Sequence, residues 1–142
     1  MSENDECIFC EIVAGRSPAH RVWEDEQILI FMDLFPAHAG HTLIIPKRHA
    51  ADVFETPAED LRAVVAQSKP LAFALEQVFD CDGIAVIQLN REAAGQTVFH
   101  YHMHLIPRNE GEPFGVHGKK RAAAEVLADH ASRLAAVFTP AL

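Results

Sequence analysis

The segment FHYHMHLIP, residues 99–107, places His100, His102 and His104 at alternate positions. Alternation is the period of a β-strand. A strand here would put three imidazoles on one face and Phe99, Tyr101, Met103 and Leu105 on the other. With nine histidines in 142 residues, random placement gives such a triplet in roughly 3 of 100 chains, so accident is disfavoured. Three chemistries compete. The histidines could be plain polar residues of a half-exposed strand. Two of them could hold a catalytic zinc whose open position carries water, as in a metallohydrolase. Alternatively, a neutral imidazole could attack phosphorus, since its ordinary pKa of about 6.5 leaves it nucleophilic near neutral pH. The preceding Gly95-Gln96-Thr97 turn favours the third, because it offers backbone N–H groups and a hydroxyl to an anion.

These groups need a scaffold, and the bulk of the sequence describes one. The length fits a single domain over 1–142 with a core of its own. Hydrophobic residues are 49% and charged residues 23%, as in ordinary globular proteins. No apolar run approaches a bilayer span, and the acidic stretch Met1–Glu6 is unlike a signal peptide, so a cytoplasmic protein with no membrane partner is expected. A net charge of −8 argues against a long nucleic-acid partner but leaves room for a small anion. Cys7 and Cys10 form a C-x-x-C pair, which in a reducing compartment points to metal or redox work; Cys81 reads as a buried thiol at a helix end.

Along the chain, residues 7–16 read as a short helix or turn. Arg21–Trp23, Gln27–Met32 and Thr42–Ile45 read as strands, with a loop over Phe35–Gly40. Thr56-Pro57-Ala58-Glu59 predicts a capped start for a long helix, whose spacing runs through Leu61, Val64, Val65, Leu71, Leu75 and Val78. Pro70 should distort it near Gln67. Gly83–Leu89 and Val98–Ile106 read as strands around an Arg91–Thr97 turn, and Lys119–Phe138 as a C-terminal helix. This order predicts an α+β fold with a mostly antiparallel sheet of about five strands.

The sequence HYHMHLI resembles the signature of the histidine-triad (HIT) nucleotide-binding proteins. The similarity extends through CIFCEIVAGRSPAHRVWEDEQILIFMDLFPAHAGHTLIIPKRHA and GIAVIQLNREAAGQTVFHYHMHLIPR, covering residues 7–108. It resembles bacterial zinc-containing members of the nucleoside phosphoramidase branch. The resemblance implies that His102 attacks an α-phosphorus to give a nucleotidyl-histidine, which water then hydrolyses. His104 would contact the phosphate and His41 would orient the cluster. Asp33 would accept from ribose hydroxyls, and Ile8, Phe9, Ile12, Phe31 and Leu34 would line the base pocket. Asn90, Gly95, Gln96 and Thr97 would surround the phosphate and leaving group. Each has a plainer reading: Asp33 as a turn residue, the apolar five as core, Asn90 as a turn start, and Lys47 and Arg48 as solvated charges. Arg91 stands where the family often has glycine, Thr97 where serine is common, and the tail with Phe114 and His117 matches only loosely.

The same resemblance implies a structural zinc held by Cys7, Cys10, His49 and His100, with His20 and His38 as rival fourth ligands. A closed four-ligand site would be structural rather than catalytic. The expected substrates are purine nucleoside phosphoramidates, with dinucleoside polyphosphates second; a nucleotide sensor with little turnover is a third reading. The family also implies a homodimer built on the long helix and the Gly83–Leu89 strand.

Overall fold

The computed structural model describes residues 7–142; the acidic stretch Met1–Glu6 lies outside them. The chain runs through α1 (Ile8–Val13), β1 (Arg21–Glu24), β2 (Ile28–Met32), β3 (Thr42–Pro46), α2 (Ala58–Phe79), β4 (Gly83–Gln88), a single 3-10 turn at Glu92–Ala94, β5 (Met103–Arg108) and α3 (Ala124–Val137). The strands form one antiparallel sheet in the order β1-β2-β3-β5-β4. The α+β architecture with five strands is therefore the one expected from the order of elements.

Strand alternation sorts the residues of this sheet into two clusters. On one face Ile28, Ile30, Met32, Ile44, Met103 and Leu105 meet Val64, Leu71 and Leu75 of α2 and Leu127 and Leu134 of α3. On the other, Leu29, Phe31, Leu43 and Ile45 meet Phe9, Cys10 and Ile12 of α1. Both faces of the central strands are thus covered, which accounts for the continuous apolar runs ILIFM and TLIIP. The short α1 is held by this packing and by Arg21, which donates to the Ile12 carbonyl.

Four expectations about the elements need correcting. First, β5 begins at Met103 rather than Val98, so only His104 of the three histidines lies in the ladder. The neighbouring β3 ends at Pro46, which has no N–H to continue the pairing. Residues 97–102 leave the sheet, with the Tyr101 N–H donating to Ala50 instead. The alternation of faces nevertheless persists in Tyr101, Met103 and Leu105, all in the helix-side core, while Phe99 is half exposed. Second, α2 has no side-chain cap: Pro57 is its N-cap residue and the Thr56 hydroxyl donates to the Asp52 carbonyl 2.7 Å away. Third, α3 starts at Ala124, five residues after Lys119. Fourth, Cys81 is only half-buried, in the turn that follows α2.

Two backbone positions matter for the site. Gly40 has φ +90°, and a Cβ there would lie 2.8 Å from the Phe79 ring and 2.9 Å from Pro107, so the loop before β3 closes tightly on the end of α2. Arg91 has φ +76° and ψ +158°, a conformation that favours glycine. Its guanidinium stacks 4.3 Å from the Phe54 ring centroid and lies 3.8 Å from Asp52. It therefore points to the surface turn before α2.

Arg48 is more than a solvated charge. It holds the buried carboxylate of Asp60 at 3.0 Å, with Gln27 as a second donor at 2.9 Å, while Lys47 pairs with Glu24 at 2.7 Å. The C-terminal segment is tied back by Gln67, whose side chain both donates to and accepts from the backbone of Ala141.

Candidate active site

Register assembles the floor of the pocket. Phe31 pairs with Leu43, and Leu43 with His104, so the three side chains stand in a row on the α1 side of the sheet. Ile8, Phe9 and Ile12 of α1 face them across a cavity of about 390 Å³. Asp33 and Leu34, just beyond β2, close one end, while Thr97 and His102 close the other. Four further lining residues were not singled out from the sequence: Phe35, Leu43, Val98 and Gly118. Leu43 was accessible through strand alternation against Phe31. Val98 lies in the segment misread as strand. Phe35 and Gly118 carry no local signal.

A chain of imidazoles runs into this cavity, and backbone groups fix its protons. The Ala37 N–H donates to His41 Nδ1 at 2.9 Å, so that nitrogen is bare and the proton sits on Nε2. His41 Nε2 then donates to His104 Nδ1 at 2.9 Å. His104 must carry its own proton on Nε2, and this is a buried polar atom with no protein partner among the described residues. Such a donor in a pocket wall can serve an acceptor that enters the pocket.

His102 has the complementary tautomer. Its Nδ1 lies 2.7 Å from the His100 carbonyl oxygen, which can only accept, so Nδ1 donates and Nε2 keeps its lone pair. Phe9 meets the His102 ring edge-on, with centroids 5.1 Å apart, and the His104 ring is 4.9 Å away. Burial pushes His41 and His104 down to about 3, and lowers His102 as well, so all three are neutral near pH 7. Asp33 moves the other way. Burial pushes its carboxyl up to about 6, against a 2.8 Å hydrogen bond from the Phe35 N–H.

Asn90, Gly95 and Gln96 are not brought to the cavity wall. Asn90 accepts from the Val53 N–H at 2.8 Å and pairs with Gln88. Buried Gln96 accepts from the Arg91 N–H at 2.6 Å and donates to the carbonyls of Ala51 and Val98. They shape the loop that carries Thr97.

A second cluster adjoins the first through His100. Ligand atoms of Cys7, Cys10, His49 and His100 all lie within 4.8 Å of one another. His100 Nδ1 is 3.4 Å from Cys7 Sγ and 3.6 Å from Cys10 Sγ, and His49 Nδ1 is 3.2 Å from Cys10 Sγ. Tetrahedral zinc sulfur and nitrogen bonds separate neighbouring ligands by about 3.5 Å, so the donor set and its spacing fit such an ion. The His100 Nε2–H donates to the Pro46 carbonyl at 2.7 Å, which turns Nδ1 toward the thiols. His38 is occupied with Glu112 at 3.2 Å, and neither it nor His20 joins this group.

The HIT domain family matches residues 14–111. This chain belongs to the histidine-triad (HIT) family. Among HIT relatives, it is 42% identical to the Protein hit of Bacillus subtilis over 83% of this chain and 82% of that one. It is 38% identical to the Adenylylsulfatase HINT3 of Arabidopsis thaliana over 76% of this chain, spanning 54% of that longer protein. Its fold superposes on a Hit-like protein from Bartonella henselae with a TM-score of 0.87, at 34% identity, covering 96% of this chain and 99% of that one. A Zn-bound histidine triad family protein from Mycobacterium smegmatis gives 0.83, also at 34% identity, over 95% and 94%. Among the described residues, no helix is long and apolar enough to cross a membrane.

The buried neutral imidazoles make stability depend on pH with a definite sign. Above pH 6.5 neither state protonates them. Below it the unfolded chain takes up protons that folded His41 and His104 refuse, so stability is lost as pH falls from 6.5 toward 3. Asp33, with its raised pKa, works in the opposite direction and offsets at most one of them. Thermal or urea unfolding should show a loss of about 1–2 kcal/mol between pH 6.5 and 5.5; stability that is flat or rising over that interval would contradict the assigned neutral pair.

Proposed function

We propose that this protein is a hydrolase or nucleotidyl transferase that cleaves at the α-phosphate of purine nucleotides, with nucleoside phosphoramidates as first-choice substrates. The observation that carries the reading is the 2.7 Å bond from His102 Nδ1 to the His100 carbonyl, which leaves Nε2 as a lone-pair nucleophile in the wall of the pocket. In the first step His102 Nε2 forms a bond to phosphorus, the bond from phosphorus to the leaving amine breaks, and the amine departs with a proton drawn from solvent water. In the second, water attacks phosphorus, gives up a proton to solvent, and the P–N bond to His102 breaks, giving a nucleoside monophosphate and restoring the neutral imidazole. His104 Nε2–H and the Thr97 hydroxyl, both in the cavity wall, would donate to the phosphate oxygens. The apolar residues of α1 and β2 suit a base, and Asp33 a ribose. The HINT3 relative supports this reading, since its name denotes activity on an adenylyl compound. Dinucleoside polyphosphates, the second choice, would use the same nucleophile with a nucleotide as leaving group. The sensor reading would need binding without it.

Rapid-quench intact-mass measurement with an adenosine phosphoramidate tests the nucleophile. Wild type should show a transient adenylyl adduct mapping to His102. His102→Ala should show none and lose at least about 10³-fold in kcat. Binding without adduct or product would favour a sensor, and product lost at once on chelation would favour a metal-activated water.

For the second cluster, we propose a structural zinc on Cys7, Cys10, His49 and His100. The Zn-bound relative and the fit of the donor atoms support it. When bound, the ion would hold both cysteines as thiolates and tie α1 to the segment that carries His102. Unpaired cysteines held as metal ligands rather than as a disulfide suit a cytoplasmic protein. Native mass spectrometry should find one zinc per chain. Chelation should lower the melting temperature while activity decays only as the fold loosens; full retention of both would refute a structural role.

A homodimer through β4 and α2 completes the proposal. Strand β4 is a sheet edge, Val86 on it is 50% exposed, and Phe73 of α2 is 64% exposed. An open edge beside apolar side chains needs cover. Sedimentation should give a dimer that Phe73→Lys dissociates; a monomeric wild type would remove the idea.

A further inference from the structure

The imidazole of His117 belongs to no part of the chemistry above, yet it lines the same cavity. It comes from the tail between β5 and α3, the part of the chain that resembles the family only loosely. Its Nε2 lies 2.9 Å from the Gly95 carbonyl oxygen, so Nε2 donates and the tail is fastened to the turn that carries Thr97. Its ring meets that of His104 edge-on, with centroids 5.9 Å apart.

The tail is held equally firmly at the other end of the pocket. The Gly118 N–H donates to the Phe35 carbonyl at 3.1 Å and the Ala122 N–H to the Leu34 carbonyl at 3.0 Å. A Cβ at residue 118 would lie 2.2 Å from the Pro36 carbonyl oxygen, closer than any packing allows. Glycine at that position lets the tail cross directly over the turn that follows Asp33. The residue before it, His117, is thereby carried to the opposite rim. One short segment thus links the Asp33 end of the cavity to the Thr97 end, and its connection to the Thr97 end is the His117–Gly95 bond.

We propose that His117 is a positioning residue for the nucleotide: it latches the tail across the pocket onto Gly95, and so governs substrate binding rather than the chemical step. The proposal rests on the reading of the cavity as a nucleotide site. A latch at this place has a clear physical consequence. It fixes the turn that presents Thr97 before substrate arrives, so less ordering remains to be done on binding. Without it the turn at Gly95 and the wall made by His117 and Gly118 must be ordered by the ligand itself.

The variants His117→Ala, His117→Gln and Gly118→Ala separate the outcomes, with kcat and KM measured on an adenosine phosphoramidate and AMP affinity measured at equilibrium. Loss of one hydrogen-bonded anchor should raise KM and the AMP Kd about five- to tenfold in His117→Ala, with kcat within about twofold of wild type. His117→Gln keeps an N–H donor at similar reach and should recover most of the affinity. Gly118→Ala keeps the imidazole but displaces the backbone that carries it, and should resemble His117→Ala. Unchanged KM and Kd in His117→Ala would overturn the latch. So would equal losses of kcat in the Ala and Gln variants together with an altered pH profile, which would make His117 an acid–base group instead. If wild type itself binds no AMP, the nucleotide reading falls first, and that result is visible before any variant is compared.

Discussion

The hydrogen bond between His102 Nδ1 and the carbonyl of His100 joins everything else in this molecule. His100 faces two ways. Its side chain is turned to Cys7 and Cys10, with Pro46 holding the far nitrogen, while its carbonyl sets the tautomer of His102. Because residues 97–102 leave the sheet, no ladder partner holds this segment. The cluster of thiols and imidazoles replaces the ladder. What looks like a second site is therefore the mount of the first, and α1 contributes to both: Cys10 to the mount, Phe9 and Ile12 to the pocket.

The second governing feature is that the site is built from neutral groups. Three imidazoles sit in or behind one cavity, and each is depressed chiefly by burial rather than by a charged neighbour. Keeping them neutral costs stability below pH 6.5 and leaves one donor, His104 Nε2, without a protein partner among the described residues. In the proposed function that donor meets the entering phosphate. The net charge of the chain is −8, so attraction must come from aimed donors rather than from a basic surface.

Much of this was legible in the residues. The apolar runs ILIFM and TLIIP were readable as strands, though their coverage on both faces emerges only in the fold, and the alternation after Val98 separates Tyr101, Met103 and Leu105 from the imidazoles even though the strand itself begins later. Pairing could not be read, because it depends on Pro46 in another strand ending its own ladder. The capping box failed for a similar reason: the Thr56 hydroxyl is taken by Asp52, a partner that only the folded turn supplies. Gln96 is a polar residue in a glycine turn, and nothing local distinguishes a ligand contact from the internal brace it is. The role of His117 depends on a crossing that needs Gly118 against Pro36, and so lay beyond any pattern along the chain.

The tight meeting of Gly40 with Phe79 and Pro107 has a dynamic consequence. Phe79 is the last residue of α2, and helix ends are where native structure opens first. Here that end is wedged against the loop between Asp33 and His41. Fraying of the final turn of α2 would remove the wall behind Gly40, so the helix terminus and the loop that supports the imidazole relay lean on one shared packing contact.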